Sequence, residues 1–313
     1  MMIGAGDPDV LLVGAGPAGC SAALWLRDFG VPFLWVDKGS TPGGTLHRVH
    51  NRIENLPGKN YPNGSALVEE IQAQLQALSL SPLQKTLQSM EISSEEGAVK
   101  VRFENRESVK VRRVLLATGT SYRTLGVPGE AEFLGTLISQ SSARDGHRAR
   151  GLEVAVVGGG DAAFENALRL AAVDAKVTLL LRSSPRARPE FLEEVRANPS
   201  IQIAPIPSEV KRISKLQGAS EGLRLEFHSE RSSPLEVGML FIRIGVAPSL
   251  PEGISHISKD SEGYLITDQE GRTSSPLLYG AGDLVSAPLR AIATAYGAGA
   301  IAARSIARDL KYL

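Results

Sequence analysis

A single cysteine, Cys20, is the only thiol in 313 residues. That scarcity excludes any disulfide within the chain, structural or catalytic, because the bond needs two sulfurs. An excess of charge of one sign is missing too. Lysine plus arginine number 34 and so do aspartate plus glutamate, for a net charge of zero, which leaves no global attraction to nucleic acid or to an anionic membrane. No apolar run reaches the roughly 18 residues of a membrane helix. Met1 to Pro8 has neither the basic start nor the apolar stretch of a signal peptide. The expectation is a soluble, cytoplasmic protein acting on small molecules, with no nucleic-acid partner and no membrane. A 42% hydrophobic content at this length suits two ordinary domains better than one core.

Glycine, by contrast, is plentiful and placed. Gly14-x-Gly16-x-x-Gly19 and Gly158-x-Gly160-x-x-Ala163 each follow an apolar run, Val10 to Val13 and Val154 to Val157. Each opens a small-residue helix, the context that a dinucleotide fingerprint requires. The first unit reads as strand, helix (Pro17 to Phe29) and strand (Phe33 to Val36), closed by Asp37. Its first glycine permits the tight turn, the second lets backbone approach a pyrophosphate, and the third lets helix sit close on strand. The helix N-terminus then faces the phosphates. Asp37 stands where a carboxylate accepts from a ribose 2′-hydroxyl. The second unit repeats the pattern, with a helix from Ala162 to about Val173 and a strand Val177 to Leu181, but Arg182 follows. A cation there, with Arg186 and Arg188 close behind, suits a 2′-phosphate and so NADPH over NADH. The competing reading is a solvated arginine loop.

After each unit come short alternating runs, Val99 to Phe103 and Val109 to Leu116 in one half, Leu223 to Phe227 and Leu235 to Ile244 in the other. Each half ends on an apolar strand running into glycine, Gly119 and Gly245, which mark crossings between domains. Leu278 to Asp283 and a helix from about Leu289 to Leu310 match nothing in the middle of the chain. They read as a return to the first domain. The fold class expected is α/β, two Rossmann-like (three-layer β/β/α) dinucleotide-binding domains with the second inserted in the first. The boundaries are 1–120 with 247–313 for the first and 121–246 for the second.

Six motifs in order now carry a resemblance: Gly14-Ala15-Gly16-Pro17-Ala18-Gly19, Gly43-Gly44-Thr45-Leu46, Glu54-Asn55-Leu56-Pro57-Gly58, Ala117-Thr118-Gly119, Gly158-Gly159-Gly160-Asp161-Ala162-Ala163 and Gly280-Ala281-Gly282-Asp283. From about Asp9 to Leu313 the chain resembles the low-molecular-weight thioredoxin reductases. The resemblance implies FAD in the split domain, NADPH in the inserted one, a homodimer, and rotation of the inserted domain about strands at Thr120 to Arg123 and Gly245 to Pro248. It also extends the FAD set to Pro17, Ala18, Lys38, Gly43, Gly44, Thr45, Leu46, Asn55, Ala117, Thr118, Gly119, Gly282, Asp283, Arg290, Ala291 and Ile292. The NADPH set gains Asp161, Ala162, Ala163, Glu165, Ile244 and Gly245. Asp283 is implied to bind the ribitol chain, against the alternative of an N-cap for the last helix. Asn55 is also readable as a plain turn residue, and His47 and His50 as loop residues near the flavin.

One departure decides the chemistry. Where thioredoxin-reducing members carry Cys-x-x-Cys-Asp-Gly, this chain reads Ser141-Ser142-Ala143-Arg144-Asp145-Gly146. Thiol–disulfide exchange needs a thiolate and a resolving sulfur, which Ser141 and Arg144 cannot supply. Asp145, a proton donor in the family, loses its object and reads as a turn residue. Cys20 lies in the first turn of a helix, where the dipole lowers a thiol pKa. The related bacilliredoxin reductases carry their cysteine at the place of Ala18, two residues away, so Cys20 is expected to pack as a small apolar side chain. The leading expectation is an NAD(P)H-dependent flavin oxidoreductase passing electrons to an external acceptor, a ferredoxin- or flavodoxin-like protein or a small molecule. Ferredoxin reductases of this type extend past the last helix with an aromatic-bearing tail, whereas this sequence ends at Leu313. The alternatives are a flavoprotein redox sensor or binding protein with little turnover, and a ferredoxin-reduced flavoenzyme with a vestigial nicotinamide site. No metal is expected.

Overall fold

The computed structural model describes residues 8–216, 221–229 and 233–313. Met1 to Asp7, on which the signal-peptide reading largely rests, lie outside the described residues. In chain order the elements begin β1 (Val10–Val13), α1 (Pro17–Asp28), β2 (Phe33–Asp37), α2 (Gly64–Ala77), β3 (Leu83–Gln84), β4 (Leu87–Ser93), β5 (Ala98–Phe103), β6 (Ser108–Val111), β7 (Arg113–Leu116) and β8 (Thr120–Tyr122). Then follow α3 (Glu130–Phe133), β9 (Ile138–Ser139), α4 (Ser142–Asp145), β10 (Glu153–Val157), α5 (Asp161–Ala171), β11 (Lys176–Leu180), α6 (Pro189–Ala197), β12 (Ile201–Ile203), β13 (Val210–Lys215), β14 (Leu223–Phe227), β15 (Leu235–Val237) and β16 (Met239–Ile242). The chain ends with β17 (Val246–Pro248), β18 (Leu278–Gly280) and α7 (Ile292–Asp309). Two compact units result, Met1–Ser121 with Ala247–Leu313, and Tyr122–Val246.

The first unit is built on a parallel sheet of order β18-β7-β1-β2-β3. All of β1 is buried, with Leu12 facing the helices α1 and α7 and Leu11 facing the antiparallel sheet β4-β5-β6. Burial on both faces is why the strand is a continuous apolar run rather than an alternating one. Small residues bring the helices close. A Cβ built at Gly299 of α7 falls 2.1 Å from the Ala18 carbonyl oxygen, and Ser21 of α1 donates to the Tyr296 carbonyl at 2.8 Å.

The second unit repeats the plan on a sheet of order β12-β11-β10-β16-β9. Phe164 and Val156 lie on the helix side, Ala155 and Val157 on the side of the sheet β13-β14-β15. Both units are therefore three-layer α/β folds.

Two expected strands are each broken in two. Val109 to Leu116 splits at Arg112, because β6 belongs to the antiparallel sheet and β7 to the parallel one. The Arg112 amide turns away to the Asp9 carbonyl. Leu235 to Ile244 splits at Gly238 for the same reason, its amide donating to Glu153 at 2.7 Å. An unbroken hydrophobic run thus spans a change of layer. The last helix starts at Ile292, not Leu289, where Thr294 turns back to accept from the Ala291 amide at 3.0 Å.

Candidate functional site

The first glycine turn is closed by backbone. Gly14 has φ +108° and a Cβ there would stand 2.2 Å from the Ala117 carbonyl oxygen, while one at Gly19 would stand 1.9 Å from that of Gly14. Neither position admits a side chain. Three further contacts hold the turn: Asp37 Oδ2 accepts from the Ala15 amide at 2.6 Å, the Trp35 indole donates to the Gly14 carbonyl at 3.0 Å, and the Gly43 amide donates to the Ala15 carbonyl at 2.7 Å. Trp35 and Asp37 are two apart on one strand and so share a face. Asp37 also accepts from the Gly39 amide at 2.6 Å through Oδ1. The carboxylate expected to serve a ribose thus first serves the loop, with lone pairs to spare.

Above this turn opens a pocket of about 460 Å³, within the range of cofactor sites. It is lined by Gly16, Pro17, Ala18, Asp37, Lys38, Gly44, Thr45, Leu46, Ala117, Thr118, Gly119, Gly282, Asp283, Arg290, Ala291 and Ile292. Gly14, Gly19 and Gly43 stand behind them as the frame. The amino end of α1 has no side-chain cap, so its amides are left for an anion. Sequence reasoning missed Gly39, Ser40, Thr41, Arg48, Val49, Thr120 and Ala295 in the lining, since loop residues brought in by tertiary packing carry no periodic signal. His47 lines the pocket and His50 does not. Asn55 is exposed and outside the lining, because its loop projects beyond the Ile53–Tyr61 bridge. Asp283 is not the cap of the last helix, which is Ala291. It lies half-buried in the pocket, where burial pushes its carboxyl up in pKa against the opposing Arg290 charge. Arg290 is stacked on the Tyr264 ring at 3.6 Å.

The second turn has the same construction. Gly158 has φ +144° and a Cβ there would lie 2.3 Å from the Arg243 carbonyl oxygen. Gly160 caps α5 without a side-chain bond, and a Cβ on it would meet nothing within 4 Å. Ala163 is buried beneath, and Ala162 is exposed. The arginines separate into two kinds. Arg188 gives its amide and Nε to the two oxygens of Asp161, each at 2.8 Å, and lies over Phe191. The Arg186 amide ties to the Gly159 carbonyl at 2.7 Å, leaving its guanidinium exposed. Arg182 is 80% exposed, 4.0 Å from Glu209. Arg182 and Arg186 thus stand as exposed cations, whereas Arg188 and Asp161 form a clasp. Glu165 is paired with Arg169 at 2.8 Å one turn on. Gly245 has φ +90° and its carbonyl accepts from the Arg123 amide at 3.0 Å. Ile244 is half-buried beside it.

Ser141 caps the one-turn helix α4, its hydroxyl accepting from the Arg144 amide at 3.3 Å. Asp145 is more than a turn residue. Arg144 reaches both its oxygens, at 3.1 and 2.8 Å, and the Ser139 hydroxyl donates at 2.5 Å. Burial pushes this carboxyl up, but those hydrogen bonds outweigh it and hold its pKa below the usual range. An acid so stabilised in its ionised form does not donate a proton near neutral pH. Asn166 anchors the segment, accepting from the Ser142 amide at 2.9 Å.

Cys20 is buried on the inner face of α1, its thiol donating to the Ala15 carbonyl at 3.3 Å. Burial, with the Asp37 charge behind it, pushes its pKa up to about 12, which overrides the helix dipole. Among the described residues no cluster of side chains could hold a metal ion and no helix is long and apolar enough to cross a membrane.

Set against known proteins, residues 8–302 match the family model described as pyridine nucleotide-disulphide oxidoreductase. The thioredoxin reductase of Treponema pallidum (strain Nichols) is 31% identical over 306 residues, covering 96% of each chain. A protein named NADH dehydrogenase from Ferdinandcohnia aciditolerans is 28% identical over 310 residues, which are 95% of this chain and 56% of that longer one. The solved structure of Lactococcus lactis thioredoxin reductase in its FR conformation matches with a TM-score of 0.76 at 28% identity, over 98% of this chain and 100% of that one.

Proposed function

This chain belongs to the pyridine nucleotide-disulphide oxidoreductase family, and from that premise we propose that it draws electrons from NADPH through FAD and delivers them to an acceptor outside the chain, without a disulfide relay. Membership implies FAD and NAD(P)H. The observation that carries the finer reading is Cys20: a chain with one thiol, buried and with its pKa pushed up to about 12, has no sulfur couple of its own. The Arg144–Asp145 pair adds support, since the family's proton donor is here held ionised by its neighbour.

The residues suit the cofactors. In the first pocket the open face of Gly16 and the uncapped amides of α1 receive the pyrophosphate. Asp37 keeps the turn in shape and orients the adenosine ribose, and Asp283 accepts from the ribitol chain. In the second unit the amides at Gly160 receive the nucleotide phosphates, and Arg182 and Arg186 take a 2′-phosphate, which favours NADPH. Glu165, being paired, is left as a helix-surface residue. When bound, the two cofactors together supply hydride acceptance and electron release. The protein's part is to bind, orient and keep the developing charges near fixed dipoles.

The test is anaerobic mixing of the FAD-loaded protein with NADPH. Fast bleaching of the flavin, turnover with a neutral quinone, and background rates with a disulfide substrate are the expected outcome. Failure to bleach would favour a sensor. Disulfide reduction that survives Cys20→Ala would show a route around the missing relay and end the proposal. Gel filtration of the same preparation reads the expected homodimer.

A further inference from the structure

The chain is neutral as a whole, yet the segment around α4 in the second unit gathers positive charge that its paired carboxylate, Asp145, offsets only in part. Arg123, Arg144 and Arg148 are exposed, and Arg243 is half-buried over the Tyr122 ring at 5.5 Å. Tyr122 links Arg144 and Arg243, Asp145 links Arg144 and Arg148, and Arg123 follows Tyr122 in the chain. Tyr122 adds to the elevation of the Arg144 pKa that its bonds to Asp145 chiefly cause, and Arg148 helps hold Asp145 ionised after Arg144 and Ser139. The one carboxylate in the group, Asp145, is spent on Arg144.

How the other three cations are held is more telling. Arg148 Nη2 donates to the Thr136 carbonyl at 2.6 Å, Arg243 Nη1 to the Gln140 carbonyl at 2.6 Å, and Arg123 Nε to the Val246 carbonyl at 3.0 Å. A carbonyl fixes the position of a guanidinium and leaves its net charge uncompensated. Among the described residues no carboxylate forms an ion pair with Arg123, Arg148 or Arg243. Long basic side chains ordinarily lose rotamer freedom on binding. Here much of that ordering is already built in, and a pinned, uncancelled group of charges is a preorganised surface for an anion larger than a single phosphate.

Resting on the reading of the preceding section, we propose that this basic face of the second unit is where an acidic one-electron carrier protein docks. The electrons balance: one NADPH gives up two electrons and a proton, each of two carrier molecules takes one electron, and NADP⁺ and the proton are released. Charge complementarity of this kind acts mainly on encounter and is strongly salt-dependent.

The probe is a plant-type [2Fe–2S] ferredoxin, an acidic carrier, followed by NADPH-driven, ferredoxin-dependent cytochrome c reduction, with menadione as a neutral acceptor in parallel. In Arg123→Gln/Arg148→Gln both charges are removed; glutamine can still donate where Arg123 Nε did, while the Arg148 Nη2 bond is given up at an exposed side chain, and melting temperature checks that folding is spared. The ferredoxin KM is expected to rise about tenfold at low ionic strength, menadione turnover to stay at the parent level, and Arg123→Lys/Arg148→Lys to restore most of the loss. Salt is expected to raise the parent's KM and to leave the glutamine variant's nearly flat. An unchanged ferredoxin KM in the glutamine variant, or a parent that reduces menadione but not ferredoxin, overturns the docking proposal. A parent that reduces neither overturns the oxidoreductase reading beneath it.

Discussion

Asp37→Asn replaces one carboxylate oxygen by an amide group in a place where both oxygens accept from backbone, from Ala15 and Gly39, each at 2.6 Å. A hydrogen bond to a charged acceptor contributes about 1.5–3 kcal/mol and a neutral one about 1 kcal/mol. The asparagine loses one such bond, sets an NH₂ against a backbone N–H, and weakens the survivor, for a cost of about 2–4 kcal/mol. Trp35 and Gly43 still hold the turn at 3.0 and 2.7 Å, so part of that cost is recovered by the remaining tethers. The expected result is a rise in the FAD Kd of roughly 10- to 100-fold, at 1.4 kcal/mol per factor of ten. A lower urea midpoint of the FAD-free protein goes with it. Fluorescence titration of apoprotein with FAD and urea unfolding measured in the absence of FAD provide the two readouts. The second separates the loop from the ribose, because the apoprotein has no ribose to lose. An Asp37→Asn protein with the parent's Kd and the parent's urea midpoint would refute the assignment of Asp37 to the turn.

Gly158→Ala puts a methyl 2.3 Å from the Arg243 carbonyl oxygen at φ +144°, and is expected to weaken NADPH binding at least about tenfold while FAD is retained; calorimetry with each ligand decides. Arg186→Ala is expected to raise the NADPH Kd about 10- to 100-fold, the worth of a charge-assisted bond to phosphate, with NADH binding unaltered by the same titration. Cys20→Ala should leave quinone turnover unchanged, and iodoacetamide should fail to label the native parent at neutral pH, as mass spectrometry would show. Asp309 accepts from Arg272 at 2.8 and 2.9 Å and from the Tyr279 hydroxyl, and the Arg272 bonds hold its pKa below the usual range against burial. A carboxyl depressed by folding contributes stability above its unfolded pKa of about 3.9 and loses it as pH falls through the folded value. Asp309→Asn, at a side chain 26% exposed, is expected to cost about 2–3 kcal/mol at pH 7, with parent and variant urea curves converging in acid.

The parallel strands were legible because burial on both faces writes them as unbroken apolar runs, and the glycine turns because backbone contact at Gly14 and Gly158 tolerates nothing larger. The same feature hid the breaks at Arg112 and Gly238: a run stays apolar when it passes from one buried layer to another, and only pairing partners reveal the change. Side-chain roles were less legible than side-chain positions. Asp37 was visible as a carboxylate ending a strand, but its bonds to Ala15 and Gly39 depend on how the loop folds back. Arg188 read as a phosphate ligand together with Arg182 and Arg186, and nothing in its spacing announced that Asp161, 27 residues earlier, would claim it. Asn55 sits in a motif whose order along the chain is informative while its exposure is not. The resemblance supplied the plan. Local competition for hydrogen bonds then decided which members of each expected set remained available.

In both units the nucleotide turn is shaped by main chain meeting main chain, Gly14 against Ala117 and Gly158 against Arg243. Such a frame makes few demands on surrounding side chains. On the reading proposed above, side-chain changes such as those at positions 141 and 144 would leave these two turns intact. An architecture of this sort could change customers without retooling its supply, because the backbone contacts at the glycines hold the turns whatever side chains face outward.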